Sequence, residues 1–190
     1  MSNQAWVEPF LISSVDGTAL TNTVTATSIL PAGSKFTLPS TYFDSVNGKT
    51  LRIRASGRIS TVVTTPGTLT LDIRFGSVVV FNGGAMTLNT VAQTNAGWIL
   101  DADIVIRTVG ASTTATVLGQ GSFRSHAVIG SAAPTAGGAG EHVLPYNTAP
   151  VAGTGFDSTA AQTIDMFATW SVANASNSIQ VHQFSILALN

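Results

Sequence analysis

Residues 50–63, TLRIRASGRISTVV, and residues 68–75, TLTLDIRF, place an apolar side chain at every second position. Leu51, Ile53, Ala55, Gly57 and Ile59 alternate with Arg52, Arg54, Ser56, Arg58 and Ser60. Leu69, Leu71, Ile73 and Phe75 alternate with Thr68, Thr70, Asp72 and Arg74. A period of two is that of a strand with one buried and one wet face. Between the two runs stands Thr64-Thr65-Pro66-Gly67, in which proline presets φ and glycine tolerates a positive φ. The segment reads as a β-hairpin.

The same pattern recurs along the chain. Ser77 to Phe81 is a Val-rich run closed by Asn82-Gly83-Gly84, a turn signal. In residues 98–108, Trp98, Leu100, Ala102, Ile104 and Ile106 share one face and Asp101, Asp103, Val105 and Arg107 the other, before a turn at Gly110-Ala111-Ser112. Residues 113–127 carry Val117, Gly119, Gly121 and Phe123 on one face, and the glycines predict a bend or the close approach of another backbone. Ile164, Met166, Ala168 and Trp170 face one way. In the last run the apolar parity changes from Ile179 and Val181 to Phe184, Ile186 and Ala188, which predicts a bulge near His182 or cover on both faces. Asn174-Ala175-Ser176-Asn177-Ser178 is a turn.

No helical periodicity is sustained, and tight turns join antiparallel neighbours. Roughly eight short strands punctuated by Gly, Pro and Asn predict an all-β antiparallel β-sandwich, a jelly roll, as a single domain over residues 16–190. Residues 1–15 are expected to form an extended N-terminal arm. Residues 128–161 lose periodicity and are expected to form a long loop excursion.

Composition bounds the function. Only 9% of the residues are charged and the net charge is -1, against about a quarter charged in an average soluble domain. Mean hydropathy is +0.34. A surface of Thr, Ser, Asn, Gly and Ala has little charge to prevent association, so a stable homo-oligomer is expected. There is no basic patch for nucleic acid, no apolar run of membrane-spanning length and no basic leader followed by an apolar segment, so a product made in the host cytoplasm is expected, with neither nucleic acid nor membrane as partner. Cysteine is absent, which removes disulfides, thiolate nucleophiles and thiolate-bound metals.

The candidate chemistry is thin. Arg52, Arg54 and Arg58 form a stripe able to meet an anion, but pairing with Asp72, Asp101, Asp103 and Asp165 across facing strands is the simpler reading. Asp101 and Asp103 lack the loop and the six oxygens of a calcium site. His126, His142 and His182 lack metal spacing and follow no nucleophile elbow. Gly119-Gln120-Gly121 has no helix behind it to cradle phosphate. No catalytic, cofactor or metal residue is predicted, and the chain is expected not to be an enzyme. Trp98 and Trp170 read as core. Trp6, Phe10 and Leu11 on the arm, with His142 and Tyr146 in the excursion, are the candidate contacts to a partner or a second subunit.

Five stretches carry a resemblance: Thr37-Leu38-Pro39; Asn47-Gly48-Lys49 just before LRIRASGRI (51–59); VVTTPGTLTLDIRFGSVVVF (62–81); FDSTAAQTIDMFATWS (156–171); and NSIQVHQFSILALN (177–190). Together they resemble tailed-bacteriophage virion proteins of the jelly-roll head decoration, or cement, kind. That resemblance implies a homotrimer on the outer surface of the capsid, bound to the major capsid protein and touching neighbouring trimers. A jelly roll also serves in fibres and lectins, so a tail-fibre or head-fibre module binding a host surface glycan is the alternative.

Overall fold

The computed structural model describes residues 7–40, 42–43, 49–128 and 141–189. They form fourteen strands and one 3-10 turn, Ala32–Ser34: β1 Val7–Ile12, β2 Leu20–Thr21, β3 Thr27–Ser28, β4 Phe36–Leu38, β5 Thr50–Thr61, β6 Thr68–Phe75, β7 Val78–Asn82, β8 Met86–Thr87, β9 Gln93–Thr108, β10 Ala115–Ser125, β11 Glu141–Leu144, β12 Gly153–Phe156, β13 Gln162–Trp170 and β14 Ser178–Leu189. The larger sheet runs β1-β14-β5-β9-β10-β11, with β2 on β14 and β12 on β10. The smaller runs β3-β13-β6-β7, with β4 on β13 and β8 on β6. Every pairing is antiparallel. The order β1-β14-β5-β9 facing β3-β13-β6-β7, with the chain crossing between sheets, is that of a jelly roll.

The alternation places faces correctly. Leu51, Ile53, Ala55 and Ile59, then Leu69, Leu71, Ile73 and Phe75, then Trp98 to Ile106 on even positions, and Ile164 to Trp170 on even positions are all buried. Pairing is another matter. The expected hairpin of residues 50–75 does not form: β5 pairs with β14 and β9, whereas β6 pairs with β13, β7 and β8. A hairpin would set both apolar faces on one side, still in need of cover, and crossing to the opposite sheet lets them cover each other. Asn177 holds the crossing, since the Val62 amide donates to its Oδ1 at 2.9 Å and its Nδ2 donates to the Pro66 carbonyl at 3.1 Å. The real hairpins are β6–β7, turning at Gly76 (φ 58), and β9–β10, turning where Gly110-Ala111-Ser112 predicted.

Two expected irregular segments are partly strand. Within the segment expected as an extended arm, residues 1–15, β1 lies along β14 from Val7↔Leu189 to Ile12↔Ser185 and covers an edge that would otherwise be bare, and residues 1–6 lie outside the described residues. The excursion 128–161 contains β11 and β12, which both pair with β10. They escaped the sequence pattern because four-residue strands carry too few alternations to register.

The parity change in the last strand is a bulge, with the register shifting between Val181 and Gln183 at His182. Opposite it stands Gly57, where a methyl group would overlap the Gln180 carbonyl oxygen and press on Trp98 Cζ2 at 3.1 Å. The bulge and the glycine together bend β5 and β14 over the Trp98 ring. Gly119 packs its bare Cα against the Phe81 ring of the other sheet, the close approach that the sequence implied. Gly57→Ala is expected to lower unfolding free energy by about 2 kcal/mol. Gly97→Ala, with nothing within 4 Å of the added methyl, is expected to change it by less than about 0.5 kcal/mol. Urea titration of the two variants checks the pair.

Candidate functional site

The outer face of the larger sheet gathers most of the charge. Arg52 and Asp103 stand opposite in register, as do Arg54 and Asp101. Arg52 donates through Nε and Nη2 to the two Asp103 oxygens at 2.8 and 2.9 Å, which raises its pKa further. Arg54 Nε donates to Asp101 at 2.5 Å, Arg124 Nη2 reaches the other Asp101 oxygen at 3.2 Å, and Arg124 lies 4.0 Å from Glu141. Arg58 and Ser56 donate to Gln180 and Gln183 of β14, each at 3.0 Å. One ladder of ion pairs and amides thus spans β11, β10, β9, β5 and β14. Of the arginine stripe read from sequence, Arg52 and Arg54 are paired with carboxylates within the sheet, and Arg58 is held by a neutral amide.

The smaller sheet holds its charges more deeply. Buried Asp165 accepts from Ser28 Oγ at 2.7 Å, from the Met166 amide at 2.8 Å and from Lys35 Nζ at 2.7 Å. Arg74 binds buried Asp72 of its own strand through two bonds, at 2.6 and 3.2 Å, and stacks 3.8 Å above the Phe167 ring. Asp72 and Asp165 therefore serve the smaller sheet and not the arginine stripe, because the chain crosses sheets before β6. Removing Asp165 strands a partly covered lysine, whereas Asp101 is a surface partner. Asp165→Ala is expected to cost about 3 kcal/mol. Asp101→Ala should cost about 1 kcal/mol or less, the difference being read from chemical denaturation.

The candidate contact residues turn inward. Phe10 stacks on Phe36 at 5.1 Å and meets the Tyr42 ring edge-on at 5.2 Å, and Leu11 packs on the same core. Tyr42, its phenol pushed up to about 12 by burial and by Glu8, has Lys49 4.2 Å above its ring. Tyr146 packs on the core with its ring 4.4 Å from that of His142. His142, read from sequence as a cleft residue, is buried at 4% exposure opposite Phe123, and its Nε2 has no partner. Its place on a short, patternless strand hid that burial. Trp6 lies outside the described residues.

Burial holds the His142 pKa below its ordinary value of 6.5, so folded His142 resists a proton that the unfolded chain accepts. Its contribution to stability is present above about pH 6.5 and is lost as pH falls below that toward the folded value. The urea midpoint of the native chain is expected to drop more between pH 7.5 and 5.5 than that of His142→Phe.

Three features remain. Among the described residues no group of three or more His, Cys, Asp or Glu side chains can hold a metal ion. Among the described residues the large apolar side chains in solvent are all valine or isoleucine, and Val63, Val91 and Val172 come to one end of the sandwich, where the Thr64 amide donates to the Thr90 carbonyl and the Ser171 amide to the Thr68 carbonyl. A cleft of about 590 Å³ opens on the flank between β7 and the loop over residues 145–153.

No family model and no curated protein matches the chain. Among solved structures it is similar to the CBM2 module of the evolved Dit of Lactobacillus casei BL23 phage J-1, at TM-score 0.34 and 10% identity, over 82% of this chain and 68% of that one.

Proposed function

We propose that this chain is a non-enzymatic structural protein of a tailed-bacteriophage virion, a decoration or cement protein that sits as a homotrimer on the outer capsid surface and binds the major capsid protein. The observation that carries this reading is the character of the surface. Charges are few and, among the described residues, most are paired with one another, and the apolar groups in solvent are aliphatic and spread over edges, turns and one sheet face. Such a surface suits broad contact with other subunits, where depletion of charge is the compositional mark of an interface core. The sequence resemblance supplies the setting.

A fibre module binding a host glycan is the competing reading. Sugar rings present C–H faces that stack on exposed aromatic rings, and among the described residues every aromatic side chain is buried or half-buried. The Arg–Asp ladder likewise uses internally the polar groups that a glycan would need. The surface therefore favours protein partners over sugar.

Copy number in purified virions separates the two. Quantitative mass spectrometry is expected to find hundreds of copies per particle, as capsid cement requires. A few to a few tens of copies would overturn the decoration role and favour a tail or fibre component.

A further inference from the structure

The outward side chains of the larger sheet fall into rows that run across its strands. In one row stand Val7, Leu189, Thr50, Val105 and Leu118, of β1, β14, β5, β9 and β10, and threonine alone brings a polar group to it. The next row holds Leu187, Arg52, Asp103 and Gln120. The third runs from Ile12 through Ser185, Arg54, Asp101 and Ser122 to Val143 on β11. All of these residues are exposed or half-buried. Outward positions on a sheet in water are ordinarily polar, so an apolar row there marks a face that another molecule covers. Ile12 and Val143, at the two ends of the third row, are the most exposed large apolar side chains among the described residues, at 71% and 72%.

We infer that this face packs on the same face of a second copy of the chain, about a twofold axis that runs along the strands between β5 and β9. That axis divides the order β1-β14-β5-β9-β10-β11 into equal halves, so it lays β5 on the partner's β9, β14 on its β10 and β1 on its β11. Each row then meets itself reversed. Leu189 comes over the partner's Leu118, and Ile12 over the partner's Val143. Arg52 and Arg54 come over the partner's Asp103 and the partner's Asp101. A single symmetry operator thus matches the apolar groups and the charges together. An axis on β5 would stack arginine on arginine and one on β9 aspartate on aspartate, so the charges select the axis between them.

Arg52 and Asp103 can take a second partner each. Their side chains are 44% and 39% exposed, and the bidentate pair leaves one guanidinium nitrogen and further carboxylate lone pairs unused. From β1 to β11 the face is roughly 24 Å wide, and β5 from Thr50 to Arg58 runs about 27 Å along it, a footprint of the same order as the ~800 Å² per partner of a standard interface. A twofold contact closes on two copies and does not close a ring of three, so it goes beyond the homotrimer proposed above and joins copies that belong to neighbouring trimers.

The chain has no cysteine, so cysteines placed at the two ends of the third row report the contact alone. Positions 12 and 143 lie roughly 24 Å apart within one chain, beyond a short bismaleimide, whereas facing sheets pack about 10 Å apart. At micromolar concentration, Ile12→Cys alone and Val143→Cys alone are expected to stay at the 19.5 kDa of one chain on a denaturing gel, and their mixture to give a covalent dimer. The chain carrying both cysteines is expected to stop at the dimer. Exchanging Arg52→Asp together with Asp103→Arg keeps the pair within each sheet and opposes like charges across a mixed contact. Cross-linking between an exchanged Ile12→Cys chain and an unexchanged Val143→Cys chain is therefore expected to fall about tenfold or more, and to return when both carry the exchange. No dimer from the mixture, a dimer from either single variant, trimers or a ladder from the double variant, or indifference to the exchange would each overturn the inference. None of these results bears on virion copy number, so failure here is separable from failure of the decoration role.

Discussion

Everything in this molecule depends on two one-faced sheets covering each other. The inner faces of β14, β5, β9 and β10 meet those of β13, β6 and β7 in a core that includes Trp98, Trp170, Phe75, Phe123 and Phe184. Phe43, Phe75 and Phe156 form a cluster with ring centroids 5.1 to 5.9 Å apart, in mixed stacked and edge-on geometry. The two buried indoles are satisfied, since Trp98 Nε1 donates to the Arg58 carbonyl at 3.1 Å and Trp170 Nε1 to the Leu20 carbonyl at 3.3 Å. Because each strand buries alternate residues, the other half of the chain is forced outward, and the fold thereby dictates what the surface must be.

That surface is short of charge and uses most of what it has internally. Arg52, Arg54 and Arg124 are engaged by Asp101 and Asp103 in strand register, and Lys35 and Arg74 by Asp165 and Asp72. Exposed pairs of this kind add little stability each. Their larger consequence is a face on which most carboxylates and arginines compensate one another and on which Val7, Ile12, Ile99 and Val143 are exposed apolar groups. A rigid sandwich with such a skin is suited to being packed among other subunits.

The sequence made faces legible and left partners hidden. Period-two alternation located the buried side of β5, β6, β9 and β13, the parity change at His182 marked the bulge, and Gly119 announced close packing. Alternation says which way a side chain points and nothing about which strand lies beside it. The link over residues 62–67 was accordingly read as a hairpin when it crosses between sheets, and the Asn177 side chain that pins it stood unremarked within an Asn-rich turn. Phe10, Leu11, His142 and Tyr146 looked available because they sit where no pattern runs. Short strands beside longer neighbours bury such residues by tertiary contact alone, as β1 does on β14 and β11 on β10.

The most direct test of a shell-bound structural role is to locate this chain in a reconstruction of the intact virion. A decoration protein gives density for the sandwich at symmetry-related positions over the outer capsid, touching the major capsid protein. Density for the sandwich confined to the tail or its fibres would contradict that role.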